Sequence, residues 1–273
     1  MTFFAMRDAD RHGPAGPAHP LGPTRRRILI TGASGALGGA LATRLAAPGH
    51  CLLLSGRNEE RLKAVAGACR LAGAEVELHA LDMANLPGAI AALVDADGAA
   101  SIDAALLVAG QGDAVPPGML VEPADQVERL AGINFTAPAA LAAALASRMA
   151  ARGHGRILLV SSAAAFHALP HAPAYAASKA GLVRFGQALR LAVRPSGVTV
   201  TVVSPGFIDW PTGGRPVPRL MMMSLEEAAS RILLAFERGV GHAIIPRRFA
   251  ALRLLDRMLP AMLREWLLYR LKP

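Results

Sequence analysis

Aromatic side chains are scarce in this chain: two Trp, two Tyr and eight Phe among 273 residues. Hydrophobic residues nevertheless make up 53% of it, carried by Ala, Leu and other aliphatics. Such a composition suits helices packed closely on a sheet better than a β-sandwich, and the length allows one large α/β domain with a substantial core. Only two cysteines occur, Cys51 and Cys69, in apolar or helical surroundings and without metal-ligand spacing. A buried, reduced pair in a cytoplasmic protein is the simpler expectation, and no metal site is expected. No uninterrupted run of eighteen apolar residues is present, so no membrane-spanning helix is expected. The N-terminus lacks a basic segment followed by an apolar core, which argues against a secretory signal.

Acidic residues are also in deficit, and the formal net charge is +9. The excess sits at the ends. Arg7, Arg11, Arg25, Arg26 and Arg27 outweigh Asp8 and Asp10, giving residues 1–27 a net +3, while six Arg and Lys272 against Asp256 and Glu265 give residues 245–273 a net +5. The intervening body is close to neutral at +1. That distribution argues against a nucleic-acid-binding body. An anionic membrane surface is a better match for the C-terminal end.

Residues 1–24 are rich in Pro, Gly and His and are expected to be a disordered extension, with Met6 as an alternative start. Order is expected from Arg27. Ile28–Ile30 reads as a short strand that runs into Thr31-Gly32-Ala33-Ser34-Gly35-Ala36-Leu37-Gly38 and then an Ala/Leu-rich helix. A strand, a glycine-rich turn and a helix N-terminus form a phosphate-binding element, because glycine lets the backbone approach a pyrophosphate and the helix offers free N–H groups. The second strand, Cys51–Leu54, ends at Ser55-Gly56-Arg57 without the acidic residue that would bind the ribose of NAD. Gly56 leaves room there and Arg57 offers a fork for a 2′-phosphate, which favours NADP(H) over NAD(H); the competing reading makes Arg57 a surface charge at a helix start.

Alternating strand and helix patterns continue. Residues 59–71 read as a helix, 76–80 as a strand with Asp82 beyond it, 84–94 as a helix, and 102–108 as the fourth strand, followed by Ala109-Gly110. A Pro/Gly loop, 112–120, precedes two helical pieces over 123–147, the second carrying Asn134. The fifth strand, 156–160, delivers Ser161 and Ser162. A long helix over 175–193 carries Tyr175 and Lys179, and strand 198–203 ends in Ser204-Pro205-Gly206. A flexible stretch, 207–223, comes before a helix that Ser224 caps with Glu227 at its third position, and 242–246 is the last strand. This alternation implies a parallel sheet with right-handed crossovers.

Tyr175 and Lys179 lie four residues apart and project from one helix face. An ammonium one turn away would lower the phenol pKa from about 10, so the tyrosine could exchange a proton with a carbonyl or alcohol oxygen. Taken alone, such a pair is as readily a solvated surface pair. The order of motifs around it is more specific. Over residues 26–246 the chain resembles the short-chain dehydrogenase/reductase family, on the 31–38 turn, Asp82, Ala109-Gly110, Asn134, Ser162 thirteen residues before Tyr175, Lys179, and Pro205-Gly206.

The resemblance implies a doubly wound Rossmann-type α/β domain, residues 25–246, with helices on both faces of the sheet and a C-terminal helical extension, 247–273. It implies that Tyr175 is the general acid/base, that Lys179 tunes it and binds the nicotinamide ribose, that Ser162 orients the carbonyl, and that Asn134 kinks its helix and holds a water linking Lys179 to solvent. It implies cofactor binding by Gly32, Ser34, Gly35, Leu37, Gly38, Arg57, Asp82, Ala109, Gly110, Tyr175, Lys179, Pro205, Gly206 and Ile208, and a homodimer or homotetramer acting as a ketoreductase or alcohol dehydrogenase. Ser161, leaving its strand in another direction, is expected to be a structural neighbour.

Two departures stand out. Ala36 replaces a family glycine while Gly35 adds one, and Leu107-Val108 stand where the family has two asparagines. The first motivates a rival, a nucleotide-sugar epimerase or dehydratase with retained nicotinamide; the second motivates a non-catalytic cofactor-binding protein. Beyond the core, Leu254, Leu255, Met258, Leu259, Met262, Leu263, Trp266 and Leu267 recur at helical spacing with Arg253, Arg257 and Arg264 opposite, and Pro260 divides the segment. Residues 247–271 thus read either as a peripheral membrane contact or as a surface that packs on a partner subunit or over the site mouth. Residues 220–223 fall at the family's substrate loop, where methionines would suit a lipophilic ketone or alcohol.

Overall fold

The computed structural model describes residues 26–79, 81–209, 222–251 and 258–270. Short aliphatic runs buried on both faces become the central strands: β1 (Arg26–Thr31), β2 (His50–Ser55) and β4 (Ala104–Leu107) are nearly continuous apolar segments, as a sheet covered on both sides requires. With β3 (Glu75–Leu78), β5 (Gly155–Val160), β6 (Val198–Pro205) and β9 (His242–Ile245) they form one seven-stranded parallel sheet in the order β3-β2-β1-β4-β5-β6-β9. The predicted architecture is therefore observed. β3 is an edge strand, largely exposed and shorter than expected, with Glu75 and Glu77 on it; Ala80, its expected end, lies outside the described residues.

Helices α1 (Ala36–Leu45), α2 (Glu59–Leu71) and α7 (Leu225–Glu237) cover one face. There Ile28, Ile30, Leu54, Leu158, Ile232 and Phe236 share a core. Opposite them, Leu29, Leu53, Leu107, Leu145, Leu159 and Leu182 pack beneath α3 (Leu86–Ala99), α5 (Ala137–Arg152) and α6 (Pro173–Val193). Neighbours such as Ile28 and Leu29 separate because successive strand residues point to opposite faces. The chain winds outward from β1 to β3, then crosses back to β4, so β1 and β4 flank the switch point where ligands of open α/β sheets bind.

Several expectations change. α4 (Ala124–Ala131), a π-turn (Gly132–Thr136) and α5 form one rod, apolar and long enough to cross a membrane by composition, although half of its most apolar window is buried in the fold. The stretch predicted flexible includes β7 (Phe207–Asp209) and β8 (Met222–Ser224), which pair in parallel; residues 210–221, including Leu220 and Met221, lie outside the described residues. Met223 is 3% exposed and belongs to the core, where its methyl thioether fills space rather than lining a substrate loop. Ser224 caps α7 as expected, accepting from the Glu227 N–H at 3.1 Å.

Both cysteines are buried and free. Burial and a hydrogen bond to Glu77 push the Cys51 thiol up to about 11. Past Pro260, α8 (Ala261–Arg270) presents Met262, Leu263 and Trp266 to solvent, with the Arg270 guanidinium 4.4 Å from the Trp266 ring centre. Residues 1–25 and 252–257, which include the expected extension and Arg253, Leu254, Leu255 and Arg257, lie outside the described residues, as do the side chains of Arg264 and Leu267.

Candidate active site

The glycine turn is shaped by backbone contacts. Gly32 has φ +72°, and a Cβ there would stand 2.8 Å from the Ala109 Cα. A Cβ on Gly38 would overlap the Gly32 carbonyl oxygen. Gly35 is different: it N-caps α1 at an ordinary φ of −86°, and its N–H donates to the Gly32 oxygen at 2.9 Å. Ala36 follows it, exposed, at the helix start, so the local backbone accepts the alanine that replaces the family glycine. No side chain caps α1, which leaves its first turn available to a phosphate. These features fit a dinucleotide. Leu37 turns inward to the core beneath this turn.

The Thr31 hydroxyl accepts from Val108 N–H at 3.1 Å and from Ala109 N–H at 3.2 Å. It ties β1 to the exit of β4 across the switch point, where the two missing asparagine amides had left the hydrogen bonding open. At the end of β2, the room expected at Gly56 is already taken: a Cβ there would collide with the Ser34 side chain. Gly56 is thus needed by Ser34 itself, whose hydroxyl accepts from Asn58 N–H at 3.4 Å, while Arg57 is exposed beside it. Asp82 is exposed beyond β3, accepting from Ala84 N–H at 2.9 Å. Pro205 and Gly206 close β6, and the Gly206 N–H donates to Ile245 at 2.7 Å; Ile208 is half-buried in β7.

Asn134 is fully buried on the π-turn between α4 and α5, which is the expected local departure from α-helix. Its amide pairs with Gln111 in both directions, accepting from N–H and donating to C=O at 2.9 Å each. Gly110 separates two polar tips: a Cβ there would lie 3.0 Å from both Asn134 Oδ1 and Lys179 Nζ.

Adjacent serines leave β5 in different directions. The Ser161 hydroxyl donates to the Lys179 carbonyl at 2.9 Å and anchors α6. Ser162 caps the 3₁₀ turn 163–166, accepting from Ala164 N–H at 3.2 Å, and hydrogen-bonds the Tyr175 side chain. On α6, Lys179 Nζ lies 5.9 Å from the Tyr175 ring centre and donates to the Val160 carbonyl at 3.1 Å. Lys179 is 4% exposed, and among the described residues no carboxylate pairs with it; burial pushes its ammonium down to about 8. Burial raises the Tyr175 phenol above its ordinary value, and the Ser162 hydrogen bond only partly opposes this. The expectation that Lys179 draws the phenol pKa down is therefore not met in the protein alone: desolvation outweighs an ammonium that sits near the ring but does not contact the hydroxyl.

Sequence reasoning gave no individual role to Thr31, Gln111 or Glu122. Each acts through backbone partners distant in sequence; Thr31 opens the glycine-rich motif, but no motif spacing marks Gln111 or Glu122.

A model of the short chain dehydrogenase family matches residues 26–216. The chain belongs to the short-chain dehydrogenase family. It is 32% identical over 240 residues to an uncharacterized oxidoreductase of Myxococcus xanthus, covering 86% of this chain and 93% of the relative. A short-chain dehydrogenase from Sphingobium yanoikuyae, solved in complex with NADPH, superposes with a TM-score of 0.74 at 31% identity, covering 86% of this chain and 97% of that one. The bulky-bulky ketone specific alcohol dehydrogenase from Comamonas testosteroni gives 0.73 at 27% identity, covering 86% and 95%. As a member of this family the chain is an oxidoreductase of the nicotinamide-dependent class.

Proposed function

We propose that this dehydrogenase is an NADP(H)-dependent carbonyl reductase or alcohol dehydrogenase in which Tyr175 moves the proton. The observation that carries the reading is the convergence of Ser162, Tyr175 and Lys179 at the C-terminal ends of β4 and β5, beside an uncapped glycine turn. The bound nicotinamide supplies or accepts the hydride. Ser162 orients the carbonyl oxygen and Tyr175 gives it a proton, or removes one from the alcohol. Lys179, held by Val160, supplies a buried cation for the nicotinamide ribose, and the Gly32–Gly38 turn holds the pyrophosphate. The Tyr175→Phe variant keeps the ring but has no proton to transfer; NADPH oxidation across a panel of ketones is expected to fall at least a thousandfold, and undiminished turnover would falsify the mechanism.

The finer assignments rest on thinner support. Exposed Arg57 beyond β2, with no acidic residue at that strand end, favours NADP(H). Arg57→Asp should move the ratio of NADPH to NADH affinity towards NADH; an unchanged ratio removes Arg57 from the argument. A lipophilic ketone suits the apolar surface near the site, around Phe166 and Leu169; the Comamonas relative is named for bulky-bulky ketones. Small residues at the surface of α6, Ala177 and Ala180, suit a homodimer or homotetramer, for which sedimentation velocity is the test. Residues 25–246 are taken as the domain, and 247–271 as a peripheral contact with anionic membrane, apart from Phe249, which is buried against Phe207. Exposed Met258, Met262 and Trp266 together with the excess of arginine support that contact. Flotation of the full chain with phosphatidylglycerol-containing vesicles, but not with phosphatidylcholine alone, is the expected result; no difference would dismiss it.

A further inference from the structure

The helix that carries Tyr175 begins without a cap of its own. Its N-cap is Ala172, which offers no side-chain acceptor, and Pro173 opens the first turn. The acceptor for this turn comes instead from 52 residues away. Glu122 Oε2 accepts from the Ala174 N–H at 2.8 Å, and Glu122 is 8% exposed. Ala174 directly precedes Tyr175.

The segment bearing Glu122 is itself sewn down. Gln126 donates to the Ala114 carbonyl at 2.9 Å and to Glu122 Oε1 at 3.5 Å. Val115 N–H donates to the His171 carbonyl at 2.8 Å, next to the start of α6. At its other end, Gln111 is paired with Asn134, whose Oδ1 lies across Gly110 from Lys179 Nζ. One loop therefore touches the site at both ends, near Lys179 through Gln111 and beside Tyr175 through Glu122.

We infer that Glu122 is a positioning residue for Tyr175: its carboxylate serves as a long-range N-cap that holds the first turn of α6 with the phenol against Ser162. A side-chain cap supplies the acceptor that a helix terminus lacks, and decides whether a first turn without a local cap stays wound. A helix N-terminus also favours a negative group, so a carboxylate is well matched to this position. The inference rests on the reading of Tyr175 as the proton-transfer group, and its test includes a readout that does not depend on turnover.

The chain has only two tyrosines, Tyr175 and Tyr269. In a Tyr269→Phe background the ultraviolet absorbance of phenolate therefore reports Tyr175 alone. In that background Glu122→Ala should move the Tyr175 titration down towards that of an exposed phenol, because the frayed turn uncovers it. With the best ketone of the panel, the same variant should lower kcat about tenfold while KM for NADPH stays within twofold. Glu122→Gln, whose amide oxygen still accepts the Ala174 N–H, should restore kcat to within about threefold of the parent. Glu122→Asp keeps the charge but falls short of that N–H and should remain impaired, which preserves the test if the alanine variant does not fold. Parental kcat and titration in Glu122→Ala, or an active Asp variant beside an inactive Gln variant, would overturn the inference. Retained turnover in Tyr175→Phe would defeat the proton-transfer reading instead, and would leave the titration result standing.

Discussion

Burial draws the Lys179 ammonium from 10.5 down to about 8, so the folded chain bears a charge that costs stability at neutral pH. The sign follows from proton counting. Between about pH 8 and 10.5 the unfolded chain holds the proton and the folded chain does not, so stability rises with pH across that window, and below it the full penalty is present. A Lys179→Met variant, of similar shape and no charge, is expected to be more stable at pH 7 by on the order of 3 kcal/mol, and to lose that advantage above about pH 10.5. Thermal melts of both proteins across pH would check it; equal midpoints at pH 7 would contradict it. If Lys179 holds the nicotinamide ribose as proposed, the same variant should bind nicotinamide cofactor more weakly. Tyr175 was legible as a candidate from its place, with Ser162 and Lys179, in the family's order of motifs. The upward shift of its pKa was not, because desolvation depends on what packs over a group, and that is absent from a motif.

Helices α3 and α5 are tied by an ionic knot at one carboxylate. Asp97 has a fully buried side chain that accepts from Ile102 N–H at 2.8 Å, from Arg148, and from Arg152 at 2.8 Å, while Arg152 also donates to the Ile102 carbonyl at 3.0 Å. Burial alone would raise its pKa; the Ile102 amide and the two guanidinium groups outweigh this and hold it below the usual carboxylate range. Asp97→Asn would leave two partly buried guanidinium groups without their anion. The arginine side chains retain 34% and 20% exposure, which screens them, so the expected loss is about 2 kcal/mol, below that for a fully buried pair. Because the folded pKa is depressed, the contribution is complete above the unfolded value of about 4 and fades as pH falls through the folded one. Urea unfolding at pH 7 and at pH 3 should show the gap between the two proteins narrowing with acid; a constant gap would count against the knot. Element positions were largely readable, since α2, α6, α7 and the central strands follow periodicity and, for α7, the Ser224 cap. Short edge pieces were not. β7 and β8 are three residues each and exist only because they pair with one another.

Across the molecule the C-terminal segment divides at a single aromatic residue. Phe249 is 5% exposed, stacks edge-on to Phe207 with ring centres 6.0 Å apart, and fills the space that a side chain on Gly206 would need. Beyond Pro260, the described side chains of α8 face solvent. A chain ending at Leu259 is therefore expected to melt within a degree or two of the full chain. A chain ending at Pro246 loses Phe249, at a cost of about 3 kcal/mol, and should melt several degrees lower. Calorimetry on the two truncations separates these outcomes, and an equal drop in both would mean that α8 packs on the body after all.

Sequence alone determined the parallel α/β class and the order of its strands along the chain, because these depend on hydrophobic period, and its likeness to the family's order of motifs singled out Ser162, Tyr175 and Lys179 as the candidate site. Tertiary structure decided which groups meet across long separations: Thr31 with the exit of β4, Ser34 in the space of Gly56, Met223 in the core, and Glu122 at the head of α6. The reason is physical. Backbone hydrogen bonds and close packing have no residue signature at a distance, so a glutamate 52 residues before Ala174 becomes its cap only when the sheet brings the two loops together.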